Sequence, residues 1–194
     1  MSQLFRLSFA VAYFLGLIFF LFLIAAFRAR RQVIEHRMGP LPSPPAVITW
    51  LVPPILLLTG VGAFSASWIP VRALGVGLGL YALVLMPWAA RALGASYAPG
   101  PALLRGQSLV VDGPFRWVRH PIYSAVTALW LGAALGTLNW LLLLLWPFLT
   151  LGVLKQARAE EQMLRDQFGS RYDDYAASTG RLFPRFSATT RGAT

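Results

Sequence analysis

The chain contains no cysteine. That removes disulfide staples, thiolate nucleophiles, Cys-ligated zinc and iron–sulfur clusters together. Histidine is nearly absent as well, with two residues in 194, so a metal enzyme is not expected. Charge is scarce: Asp, Glu, Lys and Arg make up 12% of the chain, against 57% hydrophobic residues. So little polar surface does not cover a compact body of this size in water. Lipid is therefore the expected solvent. Acids are the scarcest charged type, seven against 17 Lys and Arg, for a net charge of +10. In a membrane chain such an excess first reports topology, so it does not by itself imply a nucleic-acid partner.

What is present is a series of apolar runs. Residues 7–27 form 21 uncharged positions, enough for one span at about 1.5 Å per residue. The run is longer than a secretory h-region, and it ends in Arg28, Arg30 and Arg31 without a small-x-small cleavage site, which favours a retained span over a signal. Further runs cover 46–66, 68–90, 121–138 and 140–154. The expected fold class is all-α, with about five transmembrane helices. The last two form a tight hairpin about Leu138-Asn139-Trp140, and the fifth continues beyond the lipid. Threading these spans puts every basic residue except Arg6 and Arg72, both histidines and all seven acids on one side. The positive-inside rule makes that side cytoplasmic and the N-terminus external. Arg72 is the only ionisable residue expected within a span, which disfavours a pump or transporter. Gly75-x-x-x-Gly79 and Gly132-x-x-x-Gly136 predict close helix packing, and Pro53-Pro54, Pro87 and Pro147 predict bends.

The polar chemistry concentrates where the fourth span begins. Pro121 suits a first helical turn and holds His120 extended, so His120 is expected at the N-cap. The N–H groups of Ile122, Tyr123 and Ser124 are then expected to lack intrahelical partners and, with Arg119 beside them, to favour an anionic group such as a carboxylate. An interfacial belt of cations and aromatics also accounts for Arg116, Trp117, Arg119, His120 and Tyr123. A belt does not require the glycine-hinged strand Ser108–Gly113, nor Phe115 and Trp117 in alternation; those read as walls for a planar ligand. On the extended fifth helix, Val153, Ala157, Leu164 and Phe168 form one apolar stripe, bordered by Glu160 and Glu161. Arg158 and Arg165 lie at i−3 and i+4 from Glu161, so a solvated ion pair explains that acid. Glu160 has no local cation. It either faces water or meets a positive ligand. The short turn makes the last two helices antiparallel neighbours, so His120 and Tyr123 are expected to approach Glu160.

With these pieces in place, the chain resembles the integral-membrane methyltransferases that include isoprenylcysteine carboxyl methyltransferase and the phospholipid N-methyltransferases. The resemblance rests on Gly113-Pro-Phe-Arg-Trp-Val-Arg-His-Pro-Ile-Tyr123, on Glu160-Glu161-x-x-Leu164-x-x-x-Phe168-Gly169-x-x-Tyr172-x-x-Tyr175, and on Arg181-x-x-Pro184; it covers about 107–186. It implies S-adenosylmethionine as cofactor, with Gln107, Ser108, Leu109, Val110, Phe115, His120, Pro121, Ile122, Tyr123 and Glu160 as cofactor-binding residues. The residue types agree: the anion site at the helix start suits a carboxylate, Glu160 an ammonium, and Phe115 or Trp117 an adenine. Two positions depart from the pattern. Ala125 stands where many relatives carry Gly. Gln156 stands where prenylcysteine methyltransferases tend to carry an Arg four residues before the first Glu, and nearby Arg158 lies about 200° around the helix. Gln156 and Arg158 are the substrate-binding candidates.

The function expected is S-adenosylmethionine-dependent methyl transfer to a lipophilic acceptor, either an isoprenylcysteine-type carboxylate or a related small molecule. Enzyme-bound proximity and alignment are the main contributions to rate. His120 and Glu160 are the catalytic candidates, as bases for an amine or thiol acceptor. Alternatives are phospholipid amine N-methylation, a nicotinamide-dependent membrane reductase, which need not carry a Gly-x-Gly-x-x-Gly fingerprint, and a non-enzymatic membrane scaffold. The expected organisation is one membrane domain over 1–194: three spans in 1–100, the cofactor region in 101–186 and a tail in 187–194. The expected setting is a bacterial-type inner membrane, with membrane lipids as partners and the site facing the cytoplasm.

Overall fold

The computed structural model describes residues 33–36, 44–64, 67–96, 102–104 and 106–185, with eight helical positions between Leu4 and Ile18. Strand β1 (Val33–His36) is followed by helices α1 (Pro44–Thr59) and α2 (Ile69–Leu93), strand β2 (Ala102–Leu104), and helices α3 (Pro121–Thr137), α4 (Trp140–Phe168) and α5 (Ser170–Ser178). Single 3-10 turns lie at Gly94–Ser96 and Gly113–Arg116. The fold is all-α apart from the antiparallel ribbon of β1 and β2, which pairs Val33 with Leu104 and His36 with Ala102. Hydrophobic periodicity gave no sign of it. Most of the first expected span, Arg28, Arg30, Arg31 and Arg105 lie outside the described residues.

Among the described residues, α2 and α4 are long and apolar enough to cross a membrane, and α3 is a shorter apolar helix. Large side chains such as Leu80, Val84, Leu144 and Phe148 are left exposed along α2 and α4, the arrangement expected where lipid rather than water is the neighbour. Helix α1 stops at Thr59, short of the expected 66. Pro53-Pro54, Pro87 and Pro147 all sit inside continuous helices.

The two Gly-x-x-x-Gly pairs pack against each other. A Cβ built on Gly75 would lie 2.3 Å from the Gly136 nitrogen, and one on Gly132 would lie 2.7 Å from the Gly75 carbonyl oxygen. Backbone therefore meets backbone at this crossing, and Ala82, Leu85, Met86, Leu129, Trp130 and Ala133 continue the core along the same interface. Arg72, expected near the outer end of its span, is buried and donates to the Gly136 carbonyl at 2.8 Å.

Two caps set the turn between α3 and α4. Leu138 adopts a left-handed conformation (φ 50°), with Leu138 N–H bonded to the Leu135 carbonyl and Asn139 N–H to the Ala134 carbonyl, which closes α3 as a Schellman cap. Asn139 then caps α4: its Oδ1 accepts from Leu142 N–H at 3.1 Å, while its amide nitrogen donates to the Val61 carbonyl. Helices α3 and α4 are thereby fixed antiparallel, and the start of one faces the far part of the other.

Candidate functional site

His120 occupies the N-cap of α3 with φ −127° and ψ 66°, and Pro121 opens the helix. The His120 side chain makes no capping hydrogen bond, so its imidazole is available to neighbouring elements. Its carbonyl does accept the Ser124 N–H at 2.9 Å. Ser124 therefore drops out of the expected set of unpartnered donors, because the first intrahelical bond already uses it.

Antiparallel packing of α3 and α4 brings two of the three acids of α4, Glu160 and Glu161, to this ring. Glu160 Oε2 lies 3.5 Å from His120 Nδ1, and Glu161 Oε1 lies 3.3 Å from His120 Nε2. The Tyr123 hydroxyl donates to Glu160 Oε1, and the Tyr123 ring stacks on the imidazole with centroids 5.5 Å apart. His120, Tyr123 and Glu160 thus form one cluster, as the turn predicted. Burial alone pushes the His120 pKa down, but the two carboxylates outweigh it and hold the pKa above 6.5.

Glu161 differs from its sequence reading. It is buried rather than solvated, and its partners come from other segments, not from Arg158 or Arg165. Arg181 grips it bidentately, with Nε to Oε1 at 2.8 Å and Nη2 to Oε2 at 2.7 Å, and Arg119 Nε donates to Oε1 at 3.1 Å. Arg165 instead pairs with Asp173 at 2.7 Å. A helix-local rule considers only i±3 and i±4 neighbours, and here the tertiary partners win. Arg119 is likewise committed, with Nη1 donating to the carbonyls of Ala176 and Thr179, so it is a structural cation rather than an open anion receptor.

These contacts strap the C-terminal segment over the start of α3. Arg119 N–H and His120 N–H donate to the carbonyls of Gly180 and Arg181, at 2.8 and 3.1 Å, in a parallel bridge. The Tyr175 hydroxyl donates to the Phe115 carbonyl at 2.7 Å. Gly180 is required by close approach, because a Cβ there would fall 1.7 Å from the Phe183 carbonyl oxygen.

Under this strap lies a cavity of about 60 Å³, lined by the segment Gln107–Val110 and by Leu93, Phe115, Arg119, His120, Leu164, Tyr172 and Tyr175. Six expected site residues, Gln107, Ser108, Leu109, Val110, Phe115 and His120, therefore share one wall system. Pro121 is buried and Ile122 half-buried beside it in sequence, and Glu160 flanks His120 without lining the cavity. Trp117 does not line it. The 3-10 turn at Gly113–Arg116 turns Phe115 inward and leaves Trp117 exposed, edge-on to Trp88 and under the Arg116 guanidinium. Gln156 is half-buried and Arg158 exposed, and neither lines the cavity. Leu93, Tyr172 and Tyr175 were missed as lining residues; the Phe-Gly-x-x-Tyr-x-x-Tyr spacing was the available signal for the two tyrosines. Burial raises the pKa of both phenols, that of Tyr175 to about 12, and the Glu161 charge pushes Tyr172 the same way.

The sequence pattern of the phospholipid methyltransferase family matches residues 71–171. Among solved structures, the chain is similar to a eukaryotic intramembrane Ras methyltransferase, isoprenylcysteine carboxyl methyltransferase, with a TM-score of 0.54 and 23% identity. The alignment covers 78% of this chain and 54% of that one, so the chain spans about half the length of that protein. Comparison with curated proteins gave no match.

Proposed function

The chain belongs to the phospholipid methyltransferase family, and from that premise we propose that it transfers a methyl group from S-adenosylmethionine to a lipophilic acceptor at the membrane. The observation that carries this reading is the cluster of Glu160, Tyr123 and His120 beside a cavity walled in part by Phe115, Tyr172 and Tyr175. The donor set fits the cofactor. Glu160 suits an ammonium, His120 and the start of α3 suit a carboxylate, and Phe115 with the apolar lining suits a nucleoside base. When bound, S-adenosylmethionine supplies a methyl group already activated by a sulfonium leaving group.

The protein's own residues then have three tasks. Tyr123 and His120 hold Glu160 in place, so the carboxylate is oriented before any ligand arrives. Leu93, Leu109, Val110, Phe115 and Leu164 exclude water from the cavity. The apolar helices deliver a lipid-soluble acceptor from the side, and proximity and alignment lower the barrier. A carboxylate acceptor needs no base; for an amine or thiol, His120 or Glu160 takes the proton. Gln156 and Arg158, on different faces of α4, are the residues proposed to contact that substrate. The arrangement proposed for the whole chain is one membrane domain with about five spans, its N-terminus outside and its site facing the cytoplasm. The five-span threading, which would put 15 of the 17 basic residues on one side, supports that orientation.

The test has two parts. Titration calorimetry of the detergent-solubilised protein with S-adenosylmethionine, S-adenosylhomocysteine and NADPH should give binding for the first two and none for the third. Methyl transfer from labelled donor to a panel of phospholipids, prenylcysteines and thiols should label a lipophilic acceptor. Silence with both sulfur nucleosides, or wild-type affinity in Glu160→Ala and His120→Ala, would overturn the proposal.

A further inference from the structure

Two buried polar atoms in residues of the cavity wall have no hydrogen-bond partner among the described residues: His120 Nε2 and the Tyr172 hydroxyl. His120 Nε2 at least has the Glu161 carboxylate within ion-pair distance. Tyr172 is the sharper case. It is 0% exposed, its backbone N–H is bonded to the Gly169 carbonyl, its ring meets Tyr175 edge-on at 6.1 Å, and the Arg165 guanidinium lies 5.6 Å over the ring. The ring is thus fixed by packing that a phenylalanine would reproduce. Tyr175, three residues on, spends its hydroxyl on the Phe115 carbonyl. A buried hydroxyl without a partner opposes folding unless something else occupies it.

We infer that Tyr172 is a further cofactor-binding residue, whose hydroxyl donates a hydrogen bond to an acceptor atom on the nucleoside half of the bound molecule. This rests on the function proposed above. The direction of the bond follows from the environment, because burial beside Glu161 keeps the phenol protonated and so a donor. The choice of the nucleoside half follows from the walls. Leu93, Leu109, Phe115, Leu164 and Tyr175 offer apolar and aromatic surface; Glu160, suited to the amino-acid ammonium, does not line this cavity, and Arg119 and His120, which do, are engaged by Glu161. At about 60 Å³ the cavity takes the edge of a ring rather than a whole cofactor, and an edge with one acceptor satisfies one buried donor.

The experiment compares wild type, Tyr172→Phe and Tyr175→Phe in detergent, using thermal unfolding without ligand and calorimetry with S-adenosylmethionine, S-adenosylhomocysteine and, in competition, adenosine. Tyr172→Phe should weaken binding of all three about tenfold, the equivalent of one hydrogen bond. Its ligand-free melting midpoint should be unchanged or higher, because an unsatisfied group has been removed. Tyr175→Phe should lower that midpoint, which shows that the assay registers a hydroxyl the fold does use. Wild-type affinity in Tyr172→Phe, or a lowered ligand-free midpoint, would overturn the inference while leaving the proposed function standing. No binding of either sulfur nucleoside by wild type would overturn both.

Discussion

Neutralising the two adjacent acids of α4 should have opposite consequences, although they are one residue apart. Glu161 is 5% exposed and accepts three guanidinium hydrogen bonds, two from Arg181 and one from Arg119, besides its contact with His120. Removing one partner of a buried ion pair costs about 3–5 kcal/mol, because the remaining charge is stranded. The Arg181 side chain is 34% exposed and can swing into water, so the lower end applies, and Glu161→Gln is expected to lose about 3 kcal/mol. Glu160→Gln keeps an oxygen for the Tyr123 hydroxyl, and the Glu160 side chain is already 21% exposed. Its cost should be under about 1 kcal/mol. The assay is reversible unfolding in detergent for wild type, Glu161→Gln, Glu160→Gln, Arg181→Ala and the Arg181→Ala/Glu161→Gln double variant, alongside S-adenosylmethionine calorimetry. Glu160→Gln should bind poorly and melt almost normally. Glu161→Gln and Arg181→Ala should share most of their destabilisation, with a strongly non-additive double variant. The reasoning is refuted if Glu161→Gln unfolds like wild type, or if Glu160→Gln is the more destabilised of the two.

Three further outcomes follow from the geometry. Because the folded-state pKa of His120 is raised above 6.5, its stabilising contribution is complete below pH 6.5 and is lost as the pH rises through the folded value. Melting midpoints should therefore fall on that alkaline side, and His120→Asn should flatten the profile; an equally steep profile in the variant would contradict this. Gly75→Ala puts a methyl where the Gly136 backbone already stands and should cost at least about 3 kcal/mol, the upper end for overpacking, since neither main chain can yield; circular dichroism melts in detergent would register it. Asn139→Ala removes the α4 cap and orphans the Val61 carbonyl, a combined loss of about 2 kcal/mol, whereas Asn139→Asp, which keeps the cap acceptor, should recover part of it in the same melts.

The sequence was most legible where one residue type dictates backbone geometry. Pro121 marked the first residue of α3 and placed His120 at its cap, and Leu138-Asn139-Trp140 marked a turn. The paired Gly-x-x-x-Gly motifs were legible for the same reason, since only glycine permits main chains to touch. Partners remote in sequence were not legible. Glu161 was assigned to Arg158 and Arg165 because they are its helical neighbours, while its actual partners lie 42 residues before it and 20 after it. The alternation of Phe115 and Trp117 looked like walls for a planar ligand. The 3-10 turn has a different period and sends them to opposite sides. The ribbon of β1 and β2 is too short to carry a pattern at all.

The position of the cluster follows from a difference in helix length. Helix α3 has 17 residues and rises about 26 Å, whereas α4 has 29 and rises about 44 Å. Starting from a shared turn, α4 therefore outruns α3 by roughly 18 Å, and all of its acids and all of its charges except Lys155 lie in the overhanging part. Glu160 sits about one turn past the level of His120, but helical side chains lean toward their own N-terminus, which on α4 means back toward the start of α3. That lean brings the carboxylate within 3.5 Å of the ring. The remaining overhang and α5 give the chain room to fold back, so that Arg181 reaches Glu161 and Tyr172 and Tyr175 close the cavity. A shorter α4 would leave the start of α3 bare. The unequal lengths of α3 and α4 are thus what converts an ordinary pair of apolar helices into a floor with a polar wall beside it, and the ion pairs of Glu161 with Arg119 and Arg181 tie the C-terminal segment to that wall.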